Sequence, residues 1–87
     1  MTLDDFNELR KSTETDRTIS EMGRITLGFA LLSQYTEGRG GVAVEHDVLY
    51  ASGPGPDSPE WSPGFLKTLC LLGWQWDAIQ SSWAIFV

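Results

Sequence analysis

Trp74-Gln-Trp-Asp-Ala-Ile-Gln-Ser-Ser-Trp-Ala-Ile-Phe-Val87 decides how this chain folds. The segment holds three of the four tryptophans. Trp74, Trp76 and Ala78 fall on one side of a period-two pattern, with Gln75 and Asp77 on the other. Trp83, Ile85 and Val87 alternate again after a polar break. A strand sends successive side chains to opposite faces, so this alternation of aromatic and β-branched residues marks strands with one buried face. The segment reads as a hairpin that closes the core.

Upstream of it, Ser62-Pro63 has the form of a helix N-cap followed by the first helical position. Phe65, Leu66, Leu69 and Leu72 make one apolar stripe, and Gly73 fits a left-handed stop. Trp74, just past that stop, is placed to fold back on the last turn. Ser52-Gly-Pro-Gly-Pro-Asp-Ser-Pro59 cannot sustain regular structure and reads as a loop, in the first instance a connector and in the alternative a contact loop. Trp61 stands beside it, either as a staple residue or as an exposed contact. Val42–Glu45 and Val48–Ala51 flank His46-Asp47, which suggests a hairpin, although His-Asp is not a favoured primed-turn pair. A single longer strand through His46 is the competing reading. Glu37-Gly-Arg-Gly-Gly41 reads as a flexible turn.

At the N-terminus, Thr2 with Asp5 forms a capping pattern, and Leu3, Phe6 and Leu9 recur at helical spacing. A second capping pattern, Thr18 with Glu21, opens a longer helix carrying Met22, Ile25, Phe29 and Leu32. This helix runs to about Thr36 and is stopped by Gly38. Ile25, Leu27, Phe29 and Leu31 also permit a strand, and Gly23 and Gly28 each weaken a helix by roughly 1 kcal/mol. The capping box and the terminal glycine favour the helix. The expected fold is α+β in a single domain, residues 1–87. Two N-terminal helices, a small antiparallel sheet, a short third helix and a closing C-terminal hairpin make it up, with the helices on one sheet face.

Eighty-seven residues leave little room for a deep cleft, since a pocket of about 300 Å³ would remove much of so small a core. Size therefore points to surface binding. The lone Cys70 cannot form an internal disulfide. No basic-plus-apolar leader and no apolar run of membrane-spanning length stands in the sequence, so a soluble cytoplasmic protein is expected. Net charge is −6. Residues 41–87 carry five acids, Glu45, Asp47, Asp57, Glu60 and Asp77, against Lys67 alone. That half repels phosphate backbones and anionic membranes, and favours a basic protein surface. Acidity for solubility alone is the plainer alternative.

Glu45-His46-Asp47 is the one cluster with catalytic potential, with His46 as a general base. In a strand, however, the two carboxylates lie opposite the imidazole, and there is no second histidine for a metal site. Cys70 sits among leucines, where a thiol is ordinarily an inert core group. Neither Gly38–Gly41 nor Gly53–Pro56 has the Lys-Ser/Thr context of a phosphate-binding loop. The tryptophans lack the basic track that base-stacking proteins use. No catalytic residue, metal or cofactor is expected. Glu45, Asp47, Asp57, Glu60, Trp61 and Asp77 are the candidate partner contacts.

Glu45-His-Asp-Val-Leu-Tyr-Ala51, the Pro/Gly loop, Leu72-Gly-Trp-Gln-Trp-Asp77 and Ser82-Trp-Ala-Ile-Phe-Val87 together resemble a group of short bacterial and phage proteins of unknown function. These share an "EHD…Y" segment and end in "L-G-W…W…F-V". The resemblance covers the chain from Glu45 onward and brings no active site with it. It implies a phage or mobile-element setting, in which small acidic single-domain proteins are often inhibitors of host defence, anti-CRISPR proteins among them. The function expected is a non-enzymatic inhibitor that acts in the host cytoplasm and occupies a basic, nucleic-acid-binding surface of a nuclease complex. A self-association module, dimeric through a sheet edge or the tail hairpin, is the alternative, and a small enzyme using His46 a third.

Overall fold

The computed structural model describes residues 1–36 and 40–87. The sequence-predicted stop at Gly38 and most of the Glu37–Gly41 turn lie outside these residues. In chain order the elements are α1 (Leu3–Ser12), α2 (Glu21–Thr36), β1 (Val42–Glu45), β2 (Val48–Ala51), α3 (Pro63–Leu71), β3 (Gln75–Asp77) and β4 (Ser82–Phe86). The expected α+β architecture is thus observed, with the four strands in one antiparallel sheet of order β1-β2-β4-β3.

Local chemistry accounts for the ends of the elements. Thr2 Oγ1 accepts from the Asp5 N–H and the Asp5 carboxylate accepts from the Thr2 N–H, a closed capping box. Asp4 and Asp5 in the first turn of α1, and Arg10 and Lys11 in its last, match the helix dipole. Ser62 caps α3, its Oγ accepting from the Phe65 N–H, with Pro63 at the first helical position. At the other end Gly73 takes a φ of 90°. Its N–H donates to the Cys70 carbonyl and the Trp74 N–H to the Leu69 carbonyl, the paired bonds of a Schellman stop.

The start of α2 corrects the expectation built on Thr18. Thr18 donates both its N–H and its hydroxyl to Asp16 Oδ1, so it closes a turn. Ser20 caps the helix instead: its Oγ accepts from the Gly23 N–H and its carbonyl from the Arg24 N–H. The helix preference for residues 24–35 holds. Gly28 has a specific role in it, because a Cβ there would meet Trp74 Nε1 at 2.0 Å.

His46-Asp47 turns the β1–β2 hairpin, as the two-tetrad pattern suggested. His46 holds a φ of 54°, a left-handed conformation in which histidine is more common than most residues. Strand register then assigns the faces. Leu49, Ala51, Trp76, Trp83 and Ile85 share the face that carries the helices, and Ala43, Glu45, Val48, Tyr50, Gln75, Asp77, Ala84 and Phe86 share the other. The core sits on the first face. Trp83 is fully buried, with Phe6 of α1 edge-on to its ring at 5.4 Å and Trp61 and Trp76 at 5.8 and 5.5 Å. The predicted alternation stops short of its last member: Val87 lies beyond β4 and is exposed. Among the described residues no helix is long and apolar enough to cross a membrane.

Candidate functional site

The six sequence-predicted contacts do not form one surface. Trp61 leaves the set. It was expected as an exposed contact, yet only 7 % of its surface is accessible. Its ring lies 4.0 Å from that of Tyr35, and its Nε1–H donates to the Pro54 carbonyl oxygen at 2.9 Å. Trp83 Nε1–H donates to that same oxygen, also at 2.9 Å. The Pro/Gly loop is thereby fastened to the core. Pro56 is fully buried, and a Cβ on Gly53 would crowd Leu32 and Trp83. Asp57 and Glu60, both exposed, ride on this loop at the helix side of the sheet.

The sheet places Glu45 and Asp47 at one corner of its helix-free face and Asp77 at the opposite corner. Glu45 ends β1 and pairs with Val48, which in turn pairs with Phe86. Asp77 ends β3 opposite Ser82. Tyr50, paired with Ala43 and Ala84, lies on the diagonal between the two carboxylates. Its phenol is held above the ordinary value of 10.0, first by burial and then by the negative charges of Asp77 and Glu45. Asp47 follows His46 in the turn, and its carbonyl accepts from the Val87 N–H at 2.8 Å, so the turn abuts the end of β4. Asp77 also has a structural duty, since its Oδ1 accepts from the Ile79 and Gln80 N–H groups and shapes the β3–β4 turn.

The resulting face is apolar and aromatic between two acidic corners. Phe86 is 61 % exposed, with Tyr50, Val48 and Ala43 beside it. Among the described residues, none of the four strands contains a lysine or arginine. Arg10 touches one margin, where it donates to Gln75 Oε1. Tyr50 and Phe86 were missed by sequence reasoning. The period-two pattern flagged their strands, but only the β2–β4 pairing sets them diagonally across from one another on the same face.

The groups weighed for catalysis are apart. His46 is exposed at the hairpin turn, and Cys70 is buried in α3, its thiol pushed up by burial against a smaller opposing effect of Arg10. Among the described residues no three His, Cys, Asp or Glu side chains are placed to hold a metal ion. Comparison with protein-family models, with curated proteins and with solved structures finds no match.

Proposed function

We propose that this is a non-enzymatic binding protein whose helix-free sheet face docks on a basic, nucleic-acid-binding surface of a partner protein. What supports the reading is that exposed Phe86 and half-buried Tyr50 lie between Glu45 and Asp47 at one corner of the face and Asp77 at the opposite one, with no lysine or arginine in the four described strands. Acidic corners steer a basic partner into place, and a central aromatic patch supplies desolvated contact area. Lysine and arginine side chains can also lie over the two rings. In its most specific form the partner is a host defence nuclease complex, and the protein is an anti-CRISPR-like inhibitor encoded by a phage or mobile element and acting in the host cytoplasm.

The test is capture of nuclease-complex subunits at about 0.05 M and about 0.5 M salt, where screening differs severalfold. Binding is expected to be strong at low salt and to fall at high salt, and Glu45→Lys with Asp47→Lys should weaken it at least tenfold. Binding that ignores both salt and charge reversal overturns the reading.

For self-association through the tail hairpin only Phe86 is available as an anchor, since Trp83 is inaccessible while Phe86 is 61 % exposed. The sheet edge is open at β1, where Val42 and Val44 are 61 % and 63 % exposed. That edge is only four residues long and ends in Glu45. Short edges closed by charge are a common way of discouraging strand addition.

A further inference from the structure

α1 is held less firmly than the other helices. Phe6 is its one buried side chain, with half-buried Leu9 beside it, whereas α2 and α3 bury three residues each and meet through Trp74. Just past α1, the Asp16 N–H donates to the Leu71 carbonyl at 2.7 Å and pins the chain to the end of α3. Among the described residues, the single hydrogen bond from residues 1–15 to any other part of the molecule is that of Arg10 to Gln75 Oε1. Thr13-Glu14-Thr15, between helix and pin, has no apolar side chain. α1 is ten residues long, below the roughly 12–15 at which a helix persists in water without packing partners. Its docking therefore rests on the Phe6 ring, set edge-on to Trp83 at 5.4 Å.

We propose that α1 is a detachable latch: it undocks and loses its helix as one unit, hinged at residues 13–15, while α2, α3 and the sheet stay folded. Local opening begins with the elements that bury the fewest apolar contacts, and undocking α1 frees one buried ring and breaks one side-chain hydrogen bond. The pin at Asp16 lies beyond the hinge, so α3 keeps that partner when α1 lifts. The sheet ladders and the packing of Trp74 on α2 contain no residue of α1. Undocking bares the part of the Trp83 ring that Phe6 covers. It also bares the flank of α3 that bears Cys70: α1 packs on α3, and Arg10 stands near enough for its charge to act on the thiol. Cys70 is 3 % exposed with the latch closed, and a buried thiol is inert, so its reaction reports the open form. The open molecule thus offers an apolar socket that the closed one fills with its own Phe6. Neither Phe6 nor Cys70 belongs to the acidic sheet face, so the latch is independent of docking there.

Labelling of Cys70 with excess dithionitrobenzoate in the whole protein tests the latch. The thiolate attacks the reagent disulfide, a mixed disulfide forms, and the released nitrothiobenzoate is read by its absorbance. Without denaturant, labelling should outrun by about tenfold or more the rate that global unfolding allows, as set by the urea transition. It should also change little in low urea, because undocking exposes little surface. Thr2→Ala removes the capping box at an exposed position and should speed labelling about fivefold. Phe6→Ala should speed it further, and Thr2→Ala decides where that variant does not fold. Leu32→Val, at a buried position in α2, should lower the urea midpoint and leave the labelling rate as it was. Labelling that occurs only through global unfolding, and so rises with Leu32→Val by as much as stability falls, overturns the proposal. So does a rate that Thr2→Ala leaves unchanged.

Discussion

The indole of Trp74 occupies the place where a side chain at Gly28 would stand. A Cβ on Gly28 would approach Nε1 to 2.0 Å and Cε2 to 2.3 Å, and the Nε1–H donates to the Arg24 carbonyl, one helical turn back, at 3.0 Å. Phe29 meets the same indole edge-on, 5.4 Å away ring to ring. The glycine thus lets the residue after the α3 stop lie directly on the α2 backbone, and so couples the two helices through a single ring.

Gly28→Ala should therefore reverse the usual sign of a helical glycine replacement. In an open helix the change gains about 1 kcal/mol. Here overpacking of about 1–3 kcal/mol opposes that gain, and the net effect read from urea unfolding should be destabilising. Gly64→Ala is the control: nothing lies within 4 Å of its Cβ, and it should stabilise by about 0.5–1 kcal/mol. Equal effects at the two positions would contradict the placement of Trp74.

The shared acceptor at Pro54 predicts coupling between two tryptophans distant in sequence. Trp61→Phe should cost about 1–2 kcal/mol and Trp83→Phe about 2–4 kcal/mol, for the lost hydrogen bond and the smaller ring. Either variant leaves the Pro54 oxygen with one indole donor, and the double variant leaves it with none. The double variant should exceed the sum of the singles by about 1 kcal/mol in a double-mutant cycle. Strict additivity would show that the carbonyl does not need the indoles.

Acid stability should report on Asp16. The Thr18 hydroxyl and N–H, in that order, hold its carboxyl below the ordinary 3.8, and Arg24 assists. A carboxyl with a lowered value in the folded state contributes stability above the unfolded value, and that contribution is lost as pH falls from 3.8 through the folded value. Thr18→Ala should be less stable than the parent at neutral pH, and the gap should close as the pH is lowered below 3.8. Parallel curves in acid melts would rule out this role for the pair.

Tyr50 provides a spectroscopic probe of the acidic sheet face. In a Tyr35→Phe background its phenol should titrate above 10.0 in ultraviolet difference spectra. Asp77→Asn and Glu45→Gln should each move the midpoint down, Asp77→Asn by more. Folding stability tied to this group is complete below 10.0 and is lost as pH rises through the folded value. Midpoints unmoved by both substitutions would mean that the carboxylates do not act on the ring.

What could be read from the sequence was local. Thr2, Ser62 and Gly73 carry their capping chemistry within a few residues, and the two tetrads around His46-Asp47 could be seen to form a hairpin. What escaped was non-local or locally degenerate. Thr18 and Ser20 are both competent caps, and the choice is made by Asp16, which engages Thr18. Gly28 reads as a weak point of a helix until Trp74, forty-six residues on, is seen to need the space. Trp61 looks exposed beside a Pro/Gly loop because nothing nearby in sequence announces Tyr35 or the doubly used Pro54 oxygen. The acids of the candidate surface were visible as a charge bias, whereas Tyr50 and Phe86 between them come onto one face as diagonal neighbours only through strand order.

That order has a kinetic consequence. β1–β2 and β3–β4 are ribbons that each zip from its own tight bend, while the seam between β2 and β4 joins segments more than thirty positions apart, with α3 spooled between them. Zipping of adjacent segments is fast, and closure across a long intervening stretch is slow. The seam should set the pace of assembly, and once closed it should keep its amides protected longer than the outer strands β1 and β3 keep theirs.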